Sequence, residues 1–128
     1  IEVEYTLLVH KTKQNNHASQ HHPKVEKMKQ YILSHQNEAV TVSDLAIYLD
    51  SHENYLSTLF KKFEGQTITA YILKTKIDYI EQLLIYTNKS ISEIAVFTGF
   101  SSQSYFSHTF KKATGLTPNQ YRQQNISH

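Results

Sequence analysis

One supersecondary unit occurs twice in this chain, and that repeat constrains the fold more than any other feature. Residues 41–50, TVSDLAIYLD, align with 90–99, SISEIAVFTG. After one extra residue, Phe100, residues 51–71, SHENYLSTLFKKFEGQTITAY, align with 101–121, SSQSYFSHTFKKATGLTPNQY. Eleven of the 31 aligned positions are identical, where ordinary residue usage gives about two by chance. Among them are Ala46/Ala95, Ser51/Ser101, Tyr55/Tyr105, Phe60/Phe110, Lys61-Lys62/Lys111-Lys112, Gly65/Gly115 and Tyr71/Tyr121. Two similar pieces must therefore be built and joined.

The pieces read as helical. Thr41 with Asp44 and Ser90 with Glu93 have the capping-box spacing, which satisfies two orphan N–H groups at a helix start. A short helix follows each box. Ser51 and Ser101 stand where each second helix starts and are expected to cap it. In those second helices residues 55, 56, 59, 60 and 63, and residues 105, 106, 110 and 113, mark an apolar face. Gly65 and Gly115 fit left-handed helix ends, and Gly99 fits a turn needing unusual backbone angles. Val25, Met28 and Ile32 place an earlier helix after Pro23. A long helix is expected from about Ile68 to Tyr86. Thr117-Pro118 starts the last one. The fold class is all-α, with about seven helices in two helix-turn-helix subdomains joined by a long linker helix. The boundaries expected are 1–22 for the tail of an upstream domain plus a polar linker, 23–66 and 89–128 for the subdomains, and 67–88 for the linker helix.

Each repeat has the outline of a helix-turn-helix: a short helix, a tight turn and a helix of about three turns. The outer face of the second helix reads Glu53, Asn54, Ser57, Thr58, Lys61 in one copy and Gln103, Ser104, Ser107, His108, Lys111 in the other. Short hydrogen-bonding side chains ending in Lys suit base edges and phosphates, whereas a merely solvated face more often carries long Glu–Lys pairs. Charge follows the same partition. Residues 1–53 hold five Lys and seven acids, a net −2, and residues 54–128 hold eight basic residues and four acids, a net +4. A 19-residue linker helix spans roughly 28 Å at 1.5 Å per residue, loosely comparable with the roughly 34 Å between successive major grooves.

The second copy, Ala95-x-x-x-Gly99-Phe100-x-x-x-Ser104-Tyr105-Phe106-Ser107-x-x-Phe110-Lys111-Lys112-x-x-Gly115-x-Thr117-Pro118-x-x-Tyr121-Arg122, resembles the signature of AraC/XylS-type transcription regulators. Leu45-Ala46 through Gly65 resembles the same family's first helix-turn-helix, and the likeness covers about residues 24–123. It implies a cytoplasmic bacterial regulator that places two recognition helices, about 52–64 and 102–114, in successive major grooves of promoter DNA. It also implies an upstream ligand-sensing or dimerising domain, RNA polymerase as a further partner, and no cofactor. By position in the family, the base-reading residues would be Asn54, Ser57, Thr58, Gln103, Ser104 and His108. Phosphate contacts would fall to Lys61, Lys62, Lys111, Lys112, Ser51 and Ser101. Two residues depart from the family pattern, since Arg often stands where His108 and Lys76 are found. The first recognition helix has no Arg, the commonest reader of guanine, so an A/T-leaning or weaker first half-site is expected.

Other functions fit less well. The chain has no Cys, which excludes disulfides, thiolate metal sites and the Cys-dependent repair chemistry fused to some relatives of this fold. No Gly-rich phosphate loop or Ser/His/Asp spacing supports an enzyme. His10, His17, His21 and His22 could in principle bind a metal, but no acid or Cys lies between them, and a solvated His-rich linker is the plainer reading. A protein-binding helical module would use the nine tyrosines, yet Tyr55, Tyr71, Tyr105 and Tyr121 recur in register and are expected in the core. No apolar run approaches the roughly 18 residues of a membrane helix. The chain begins with Ile1, so it is expected to be a fragment, and the lack of a leader says little about location.

Overall fold

The computed structural model describes residues 21–126. These residues form seven helices and no strand: α1 Pro23–Ser34, α2 Val42–Tyr48, α3 Glu53–Glu64, α4 Ile68–Tyr86, α5 Ile91–Phe97, α6 Gln103–Thr114 and α7 Pro118–Ile126. The tail and most of the polar linker expected over residues 1–22 lie outside the described residues, as do His10 and His17.

Helix starts follow the local chemistry. Thr41 N–H donates to Asp44 Oδ2 at 2.8 Å, and Asp44 N–H returns to Thr41 Oγ1 at 3.1 Å. Ser90 and Glu93 repeat the pair at 2.7 and 3.0 Å. Thr117 and Gln120 form a third reciprocal pair at the start of α7, at 3.0 and 3.1 Å. These bonds satisfy N–H groups that a helix start leaves orphaned.

Residues 21–35 and 40–72 form one compact unit, and residues 36–39 and 73–126 the second. Each buries its own core. In the first, Val25, Met28 and Ile32 of α1 meet Leu45 of α2, Leu56 and Phe60 of α3, and Ile68 and Tyr71 of α4. In the second, Ile77, Ile80 and Leu84 of α4 meet Ile94, Ala95, Phe106 and Phe110. One helix thus gives its first turn to one core and its remainder to the other. The repeat extends to ring geometry. Phe60 meets Tyr71 edge-on at 5.4 Å, and Phe110 meets Tyr121 edge-on at 5.6 Å.

Several expectations need correction. Ser51 and Ser101 do not cap the second helices. The N-cap of α3 is His52, with no side-chain cap bond, and that of α6 is Ser102, which accepts from Tyr105 N–H. In the first unit the Ser51 N–H closes the preceding turn, so the N-cap falls to His52; in the second that closure ends at Phe100, and Ser102 rather than Ser101 takes the cap bond. Tyr55 and Tyr105 are not core residues: they are 49% and 56% exposed. Their neighbours Leu56 and Phe106 fill the two cores, leaving the tyrosines rotated toward solvent. Ala113, also assigned to the apolar face, is exposed.

Candidate nucleic-acid interface

The turns that aim the second helices are alike. In the first unit Ser51 N–H donates to Ala46 O at 3.0 Å and Asp50 N–H to Ile47 O at 3.3 Å. In the second, Phe100 N–H donates to Ala95 O at 3.0 Å and Gly99 N–H to Val96 O at 3.1 Å. Both are Schellman closures, which need a left-handed residue just past the helix. Gly99 supplies it at φ +85° and Asp50 at φ +50°. Gly65 and Gly115 then end α3 and α6 in the same left-handed conformation, at φ +75° and +85°.

The outer faces of α3 and α6 lie open. Asn54, Ser57, Thr58, Lys61 and Lys62 are exposed on α3, as are Gln103, Ser104, His108, Lys111 and Lys112 on α6. Ser107 is half-buried. Lys61-Lys62 and Lys111-Lys112 occupy the last turn of each helix, where cations complement the macrodipole. An open groove beside α3 is lined by Ser43, Ile47, Asp50 and the corner from Ser51 to Asn54. Ser101 is exposed just before α6. The Ser51 hydroxyl is engaged: it donates to Leu49 O at 3.1 Å and accepts from Lys24 Nζ at 2.8 Å.

Not every basic residue counted in the C-terminal part faces outward. Lys76 is buried, and its ammonium donates to three carbonyls, Gln36 O, Glu38 O at 2.8 Å and Thr98 O at 2.9 Å. Burial pulls its pKa down to about 8, with the Glu38 carboxylate opposing. Asn37 adds a bond from Nδ2 to Phe97 O at 2.7 Å. Together they tie residues 36–39 to the turn ahead of α6. Arg122 reaches Leu84 O at 2.9 Å and Thr87 O at 3.3 Å, completing the end of α4. Sequence reasoning missed both roles, although carbonyls orphaned at helix ends are a standing demand for such donors.

At the start of α5 the Ser90 N–H holds the Glu93 carboxyl below its ordinary range, helped by the Ser90 side chain and Lys89. Among the described residues no cluster of three or more His, Cys, Asp or Glu is placed to hold a metal. No described helix is long and apolar enough to cross a membrane.

Known proteins share this arrangement. A helix-turn-helix domain family model matches residues 45–124. The melibiose operon regulatory protein of Escherichia coli K12 is 34% identical over 120 residues, which are 94% of this chain but 39% of that protein. The chain therefore spans well under half the length of that regulator. The C-terminal domain of AraT, a response regulator from Geobacillus stearothermophilus, superposes with TM-score 0.77 at 36% identity over 80% of this chain and 86% of that one. A transcriptional regulator of the AraC-type DNA-binding-domain group from Chromobacterium violaceum gives 0.73 at 31% identity, over 81% and 93%. With two helix-turn-helix units, two exposed polar second helices and these relatives, the chain belongs to the AraC-type family of transcription regulators, as a DNA-binding domain.

Proposed function

We propose that α3 and α6 read a promoter site from successive major grooves. Asn54, Ser57 and Thr58 face bases in one half-site, and Gln103, Ser104 and His108 in the other. Lys61, Lys62, Lys111 and Lys112 neutralise phosphate. The observation that carries this is the repetition of one exposed face: short polar side chains along the helix, closed by Lys-Lys, at equivalent positions of both units. Lys76 and Arg122 are engaged with carbonyls, so the outward basic charge is concentrated further on these helices. Ser101 is left as an exposed hydroxyl donor to phosphate ahead of α6. The complete protein would be a bacterial regulator acting in the cytoplasm, with an upstream ligand-sensing or dimerising domain and RNA polymerase as partner.

Selection of bound duplexes from a random library tests the assignment. Asn54→Ala and His108→Ala should each cost roughly 1–3 kcal/mol and relax preference at one or two base pairs. A uniform loss across all sequences would contradict a base-reading role. A G-rich consensus under α3 would overturn the expected A/T lean.

A further inference from the structure

The repeat extends further back than residue 41. Lys24-Val25-x-x-Met28-x-x-x-Ile32 on α1 has the same spacing as Lys76-Ile77-x-x-Ile80-x-x-x-Leu84 on α4, and all six apolar residues are buried. Lys24 and Lys76 are thus equivalents, one at the front of each core. Each also reaches the turn of its own helix-turn-helix: Lys76 to Thr98 O at 2.9 Å, Lys24 to Ser51 Oγ at 2.8 Å.

Their circumstances then diverge. An ammonium has three N–H donors and no acceptor. Lys76 donates to three carbonyls and is buried. Lys24 is half-buried, and among the described residues the one hydrogen bond of its ammonium goes to Ser51. Its ammonium also lies 5.4 Å from the Tyr55 ring centroid, near enough for a cation–π contact. Lys29 on the same helix differs again, held by Glu26 at 3.4 Å and Glu64 at 3.1 Å. Lys24 has no such carboxylate within ion-pair distance among the described residues. It is a held cation with two donors still available.

The place where it is held matters. Ser51 immediately precedes His52, the N-cap of α3, and Tyr55 lies in the first turn of that helix. The Ser51 proton goes to Leu49 O, so the hydroxyl oxygen faces the ammonium and fixes it. A side chain immobilised before binding loses less freedom on contact. Phosphate contacts beside a recognition helix set its register on the duplex.

We propose that Lys24 contacts a backbone phosphate flanking the half-site read by α3, with Ser51 and Tyr55 as the residues that position it. The proposal rests on the DNA-binding mode described above. It moves Ser51 from direct phosphate ligand to support.

Titrations of the chain with its selected duplex and a scrambled duplex, followed by fluorescence anisotropy over a range of salt, test this. Lys24→Met keeps the aliphatic stem and removes the charge. The slope of log affinity against log salt should flatten by about 0.9, so that from about 50 to about 200 mM salt the variant loses about 3.5-fold less affinity than the wild type. Both duplexes should weaken by the same factor, and Lys24→Arg should keep the wild-type slope. Should Lys24→Met melt without cooperativity, Lys24→Gln is measured instead. A wild-type slope in the charge-removing variant, or a loss confined to the selected duplex, overturns the proposal. Lys111→Ala on α6 separates the two levels. If it flattens the slope while Lys24→Met does not, the DNA-binding mode stands and Lys24 is excluded. If the wild type binds neither duplex, the mode itself fails.

Discussion

Gly99→Ala separates two reasons why a glycine is needed at a left-handed turn. Gly65, Gly99 and Gly115 all have positive φ, between +75° and +85°. A Cβ built at Gly65 or Gly115 meets nothing within 4 Å. At Gly99 it would lie 2.9 Å from Glu38 C, 3.0 Å from Ala39 N and 3.1 Å from Glu38 Cα. All three are backbone atoms, in the segment that Lys76 and Asn37 pin to this turn. Gly115→Ala carries only the left-handed penalty, about 1–2 kcal/mol. Gly99→Ala carries that plus an overpacking cost of about 1–3 kcal/mol, since backbone cannot swing aside as a side-chain tip would. The difference between the two variants should be about 1–3 kcal/mol, read as midpoint shifts in urea unfolding with an unchanged slope. The first unit shows that the turn itself tolerates a side chain, because Asp50 occupies the equivalent position at φ +50°. Equal losses in Gly99→Ala and Gly115→Ala would refute the packing of residues 36–39 against this turn.

Lys76→Met should destabilise the second unit by about 3 kcal/mol or more, because three carbonyls lose a buried charged donor. Lys76→Arg, which preserves the charge and the donors, should recover most of that in the same urea titration; no recovery would mean that the carbonyl contacts carry little weight. Glu93 gives a pH dependence. Its folded pKa lies below the ordinary 4.5, so its stabilisation is present above that value and is lost as pH falls through the folded pKa. Thermal melts of wild type and Glu93→Gln should therefore differ near neutrality and converge in acid; a constant gap would contradict the capping-box account.

Much of the fold is legible in the sequence because its determinants are local. Capping boxes at 41–44 and 90–93 need only four residues to specify, and the 3.6-residue periodicity of 68–86 places α4 at its observed ends. The misreadings have longer-range causes. Tyr55 and Tyr105 sit at the edge of the apolar stripe, and only the packing of Leu56 and Phe106 settles which way they turn. Ser51 and Ser101 look like caps, but the Ser51 N–H is spent closing the preceding turn, and at α6 the neighbouring Ser102 takes the cap bond instead of Ser101. The inward roles of Lys76 and Arg122 depend on carbonyls 22 to 40 residues away in sequence. No periodicity rule reports contacts of that separation. The outer faces of α3 and α6 were legible, since helix phase alone exposes those positions once the buried ones are known.

Footprinting of the chain on a selected duplex tests the central claim most directly. Two equivalent recognition helices should protect two adjacent major-groove segments about one helical turn apart. Asn54→Ala should weaken protection of one segment and His108→Ala the other. Protection of a single groove that responds to both substitutions alike would contradict the account.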